Sequence, residues 1–170
     1  MKILINGINA GLRFSAAHII PAHETCGCIH GHSYFVDIEI KGEKEGEYNF
    51  VVDFKIIKSI VKELCYSLDH RLLIPIYNDK MDFKGMDKDD LSIASFLKHD
   101  SIQFKIEDKV YTIPKDDCVL LPLKYSSAES LSEYFVEKLY DALKNHKNIK
   151  SISACVNEGI GQGAMFTKNL

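Results

Sequence analysis

His30 to Lys41 reads HGHSYFVDIEIK, and the fold follows from how this stretch is read. From Tyr34 onward the pattern alternates. Tyr34, Val36, Ile38 and Ile40 fall on one side, and Asp37, Glu39 and Lys41 on the other, which is the signature of a half-buried strand. Residues two apart on a strand share a face, so His30 and His32 continue the apolar face as a pair of imidazoles. Upstream, Phe14-Ser15-Ala16-Ala17-His18 follows an apolar stretch and reads as a strand end, with His18 in the parity of Phe14 and Ala16. If the two strands pair antiparallel, His18 ends the first where His30 begins the second. The intervening loop then folds back across that end, and three imidazoles converge.

Downstream, GEKEGE (42–47) is a turn and YNFVV (48–52) is expected to return as a strand. Asp53 is suited to cap a helix. Ile56, Ile57, Ile60, Val61, Leu64 and Leu68 recur at helical spacing, and that helix should end at 67–69. Residues 77–100 are polar and charged and read as a long excursion with a short helical turn. SIQFKIEDKVYTIP (101–114) reads as a hairpin turning at Glu107-Asp108. A second helix starts at SSAES (126–130), where Ser126 and Glu129 have capping-box spacing. Leu131, Phe135, Leu139 and Leu143 give it one apolar face. Ile152, Ala154 and Val156 alternate inward on a further strand. A turn with Gly159, Gly161 and Gly163 leads to a last one, AMFTK. Helices grouped against a mostly antiparallel sheet predict a single α+β domain over 1–170, with an insertion at about 77–122.

The chain has 170 residues, enough for one domain with a real core, and its formal charge of −3 gives no sign of a nucleic-acid binder. The N-terminal apolar run breaks at Asn6, too short for a signal-peptide core, and no apolar run reaches a membrane-spanning length. Five cysteines, an odd number without a CxxC pair, argue against a disulfide framework and for a cytoplasmic chain with reduced thiols.

Three histidines with an open fourth position are a catalytic zinc arrangement, because zinc and imidazole match in softness and geometry. The alternative is a polar turn with a satisfied core histidine. Cys26 and Cys28 lie in the same loop. Either is a candidate zinc ligand or general base beside the metal, or an inert loop residue, and spacing does not separate them. Asp69 beside His70 is suited to orient an imidazole if the backbone leaves helical geometry there. The bland reading is a helix end decorated with cations. Glu158 follows the inward parity of Ile152, Ala154 and Val156. A buried carboxylate needs a partner, and a heterocycle edge with paired N–H donors would satisfy it bidentately. Glu129 has an adequate explanation as a cap.

In their order, FSAAH ending at His18, CGCIHGHSY, VVDF (51–54), LDHRLL (68–73), SSAESL (126–131) and VNE ending at Glu158 span nearly the whole chain. Together they resemble the 6-pyruvoyl-tetrahydropterin synthase / 6-carboxy-tetrahydropterin synthase family. The resemblance implies a tunnelling fold, a four-stranded antiparallel sheet with two helices on one face. It implies homohexamers, dimers of trimers, with active sites between subunits. It implies zinc on His18, His30 and His32, and maps the catalytic thiol to Cys26. Asp69 and His70 become a second proton-transfer unit reaching a neighbouring subunit's site. Glu158 becomes the anchor of the pterin ring's 2-amino and N3 edge. Glu129 is a further candidate for binding substrate.

Three residues between Cys26 and His30 look like the 6-carboxy branch. That branch converts 7,8-dihydroneopterin triphosphate to 6-carboxy-5,6,7,8-tetrahydropterin, with acetaldehyde and triphosphate released, for deazapurine tRNA bases (queuosine or archaeosine). Arg13, Arg71 and Lys124 are candidates for meeting the triphosphate. The rival products are 6-pyruvoyl-tetrahydropterin and a 6-hydroxymethyl-pterin. From other classes come a zinc-stabilised oligomeric binding protein and a His₃-zinc hydrolase.

Overall fold

The strand that carries the alternating pattern is the longest in the molecule and organises the rest. The computed structural model describes residues 1–86 and 91–170. In chain order its elements are β1 (Lys2–Ile5), α1 (Gly7–Ala10), β2 (Arg13–His18), β3 (His30–Gly42), α2 (Phe54–Leu68), β4 (Arg71–Pro75), β5 (Asp82–Phe83), α3 (Ile93–Phe96), β6 (Ser101–Ile106), β7 (Lys109–Pro114), β8 (Cys118–Leu121), α4 (Ala128–Leu143), β9 (Ile149–Asn157) and β10 (Gly163–Asn169). The main sheet has the order β10-β9-β3-β2-β4-β8. The run from β10 to β2 is antiparallel, as the alternation requires, whereas β4 and β8 add in parallel and make the sheet mixed.

β3 is long enough to take two partners on one side. β2 pairs with its first half and β1 with its second. Between them α1 folds against β3, where the Gly7 N–H donates to Asp37 Oδ1 at 2.7 Å. A Cβ on Gly7 would stand 2.5 Å from the Val36 carbonyl oxygen, so only glycine fits there.

Tyr34, Val36, Ile38 and Ile40 of β3 and Ile152, Ala154 and Val156 of β9 are all buried. They share one core with Ile57, Val61, Cys65 and Leu68 of α2 and Leu131, Phe135, Leu139 and Leu143 of α4. Both long helices thus cover the same sheet face. Each such side chain contributes about 1.5–3 kcal/mol on burial, which is what holds the helices down. Asp53 caps α2 by accepting from the Lys55 N–H at 2.7 Å.

Three expectations are corrected. YNFVV forms no strand. The only pairing there is a single Glu45–Phe50 bridge, because Gly46 and Asn49, both at positive φ, close the chain too tightly for a ladder. The Val51 carbonyl is taken by the Asn148 side chain instead. The cap of α4 is Ser127, not Ser126. Ser126 is fully buried and its hydroxyl donates to the Ile19 carbonyl. Finally, the chain leaving α2 does not merely end a helix. His70, at φ 57°, turns it, and Arg71–Pro75 becomes β4 beside β2.

The excursion after β4 builds its own layer. β5, β6 and β7 form a second sheet, with Glu107 at positive φ in the hairpin turn. Phe83, Phe96 and Phe104 pack there against Ile19, Leu72, Ile74 and Ile76. Among the described residues no helix is long and apolar enough to cross a membrane.

Candidate metal centre and active site

The β2–β3 register brings the imidazoles together. His18 pairs directly with His30, and Ala16 with His32. The potential ligand atoms of His18, His30 and His32 lie within 4.8 Å of one another. His18 is 2% exposed, and its Nδ1 donates to the Ser126 carbonyl at 2.7 Å. His30 Nδ1 donates to the Cys28 carbonyl at 2.9 Å. These bonds leave both Nε2 lone pairs facing each other at 3.0 Å. Two such lone pairs repel unless a cation stands between them. About 3.3 Å is the nitrogen separation that a tetrahedral site with metal–nitrogen bonds near 2.05 Å would need. The outward bonds to carbonyls fix the ring orientation as metal sites require. Burial pushes the His18 pKa down, and its two imidazole neighbours add to that. The Ser126 carbonyl and the Glu158 charge oppose it without cancelling it. The ring is therefore held in the neutral form that binds metals. The donor set fits a metal ion of borderline softness.

Around this cluster opens a cavity of about 440 Å³, lined in part by His18, His30, Cys26, Glu129 and Glu158. Cys26 is half-buried and Cys28 exposed. Glu158 sits just past β9, with Oε1 3.9 Å from His18 Nε2 and Oε2 4.0 Å from His32 Nε2. Those separations keep its carboxylate beside the cluster with room for another ligand. Glu129 lies in the first turn of α4, where the helix N-terminus favours a negative charge. Tyr34, below His32, is fully buried, and its hydroxyl has no hydrogen-bond partner among the described residues. Burial, with the Glu158 charge, pushes its ionisation up, so the phenol stays protonated.

Asp69 and His70 are not in this cavity. Asp69 Oδ2 meets His70 Nδ1 at 2.8 Å, while Oδ1 accepts from the Ser15 N–H at 2.7 Å. Burial would raise the Asp69 carboxyl, but the Ser15 N–H and the His70 ring outweigh it and leave the pKa lowered. The positive φ of His70 lets neighbouring side chains meet, which a regular helix forbids. The His70 side chain is 82% exposed. Arg13 and Arg71 line depressions beside His70, and Lys124 pairs with Asp79 at 3.5 Å, so none of the three lines the histidine cavity.

Residues 8–169 match the sequence profile of 6-pyruvoyl tetrahydropterin synthase. The chain belongs to this family. A putative 6-carboxy-5,6,7,8-tetrahydropterin synthase of Methanocaldococcus jannaschii is 46% identical over 172 residues, covering 100% of this chain and 98% of its own. The 6-carboxy-5,6,7,8-tetrahydropterin synthase of Bacillus subtilis is 30% identical over 132 residues, covering 69% of this chain and 86% of its own. Among solved structures, the 6-pyruvoyl tetrahydropterin synthase of Plasmodium vivax superposes with a TM-score of 0.83 at 27% identity, covering 100% of this chain and 98% of that one. The architecture is the tunnelling fold of this pterin synthase family, and the chain is a pterin synthase enzyme.

Within that family frame, two polar residues lining the cavity escaped sequence reasoning: His23 and Gln162. His23 gave a signal of sorts, standing three residues before Cys26. A side chain at that spacing can reach back to loop amides, although histidine is not the residue usually found doing so.

Proposed function

We propose that this chain is a zinc-dependent lyase that converts 7,8-dihydroneopterin triphosphate to 6-carboxy-5,6,7,8-tetrahydropterin, releasing acetaldehyde and triphosphate, in the supply of deazapurine tRNA bases. The observation that carries the reading is the cluster of His18, His30 and His32 at the edge of a cavity that His18, His30, Cys26, Glu129 and Glu158 line. The names of its curated relatives, and the three residues between Cys26 and His30, support the 6-carboxy product.

His18, His30 and His32 hold the zinc, which when bound polarises side-chain oxygens of the substrate as a Lewis acid. Glu158 accepts from the paired N–H donors on the pterin ring edge, and Glu129 assists from the start of α4. Ring binding at Glu158 and Glu129 would place the substrate's side chain near Cys26, which would take and return protons as the thiolate–thiol pair. His70, oriented by Asp69, is the second proton-transfer unit. Its exposure and its absence from the cavity lining favour service to a neighbouring subunit in a homohexamer with interfacial sites.

A second reading keeps the site and changes the product to 6-pyruvoyl-tetrahydropterin, the activity in the names of the Plasmodium structures it superposes on. The proposed mechanism is tested by following triphosphate release from 7,8-dihydroneopterin triphosphate with zinc-replete wild type and Cys26→Ala. Release by the wild type and its loss in the variant are expected. Full turnover by Cys26→Ala would remove the thiol from the mechanism.

A further inference from the structure

We propose that His23 is the positioning residue that holds Cys26 in the cavity. The inference rests on the catalytic reading of Cys26 given above. His23 Nδ1 accepts from the Cys26 N–H at 3.1 Å and from the Thr25 N–H at 3.3 Å. A backbone N–H can only donate, so Nδ1 is an acceptor and the ring proton is on Nε2. The Cys26 carbonyl is fixed as well, accepting from the Ile20 N–H at 3.0 Å. Both backbone groups of Cys26 are thus tied down, one by the chain leaving β2 and one by the His23 ring.

The turn they close is tight. A Cβ on Gly27 would collide with the His23 carbonyl oxygen, so glycine is required there. From outside, Lys109 Nζ of the inserted hairpin donates to the Gly27 carbonyl at 3.4 Å. The Thr25 hydroxyl lies 3.3 Å from His23 Nδ1 and 3.6 Å from Cys26 Sγ. By holding the Cys26 backbone, His23 therefore sets where the sulfur points, without touching the reacting atoms.

The test uses the zinc-replete full chain as wild type, His23→Ala, His23→Asn and Cys26→Ala. Asparagine offers an oxygen to the amides two and three residues on, which is its ordinary turn geometry. His23→Ala is expected to lower kcat by about 10- to 100-fold, since misplacing a reacting group by about 1 Å costs that much. KM, zinc content and Tm should stay close to wild type. His23→Asn should restore most of kcat. The second readout is independent of turnover: amide exchange at Thr25 and Cys26 should speed up in His23→Ala and return towards wild type in His23→Asn. Unchanged exchange in His23→Ala overturns the proposal, as does an Asn variant as damaged as Ala, which would make the imidazole a chemical participant. If instead Cys26→Ala turns over normally, the thiol reading fails, and the exchange data still decide whether His23 holds the loop.

Discussion

Replacing Glu158 by Gln separates two roles that the geometry allows, ring anchor and metal ligand. The Glu158 side chain is 21% exposed, and its oxygens stand 3.9 and 4.0 Å from the nearest imidazole nitrogens. As an anchor it accepts two charge-assisted hydrogen bonds from the pterin edge. Gln keeps one acceptor and turns the other oxygen into a donor that faces an N–H, so at least one bond is lost. A hydrogen bond to a charged group contributes about 1.5–3 kcal/mol, which corresponds to about 10- to 150-fold weaker binding. The assay is calorimetric titration of metal-saturated protein with 7,8-dihydroneopterin, which keeps the ring and lacks the triphosphate. Metal content measured beforehand should equal that of wild type, because the three imidazoles are untouched. Unchanged affinity would refute the anchor. Loss of the metal at saturating concentration would show that the carboxylate is a ligand instead.

Three further outcomes are expected. His30→Ala should abolish stoichiometric metal binding and turnover while circular dichroism stays native, since the imidazole lies at a strand end and the β2–β3 ladder is made by backbone; global unfolding would contradict this. Phe135, fully buried and stacked on Phe14 at 6.1 Å between centroids, should cost about 3–5 kcal/mol when changed to Ala, read from urea unfolding; a loss under 1 kcal/mol would mean the α4–sheet core is misdescribed. Iodoacetamide at pH 8 should modify Cys26 and Cys28 but spare Cys65 and Cys118, whose thiols burial pushes up to about 12 and about 11, as peptide mass mapping would report; rapid labelling of Cys65 would contradict the packing of α2.

Local chemistry was legible in the sequence where it agreed with the tertiary arrangement. The alternation from Tyr34 to Lys41 gave β3 its inward face, and shared parity together with antiparallel β2–β3 pairing brought His18, His30 and His32 to one point. Asp53 announced α2 by its position before a helical apolar pattern. What escaped depended on partners far away in the chain. β4 exists because β2 and β8 flank it, and nothing in Arg71–Pro75 itself announces a parallel pairing. YNFVV has strand composition, but the turn before it is too tight to let it pair. Ser126 and Ser127 are equally good caps by type. Burial of Ser126 against the Ile19 carbonyl and the His18 ring decides between them. The separation of Asp69 and His70 from the cavity was implied by the family resemblance alone and not by the local pattern, since it depends on how the chain turns at the end of α2.

The most direct measurement is to incubate zinc-loaded protein with 7,8-dihydroneopterin triphosphate and identify the products by mass spectrometry. The account predicts 6-carboxy-5,6,7,8-tetrahydropterin together with acetaldehyde. A pyruvoyl or hydroxymethyl pterin would keep the site and contradict the branch, and no turnover by metal-replete protein would contradict the proposed reaction itself.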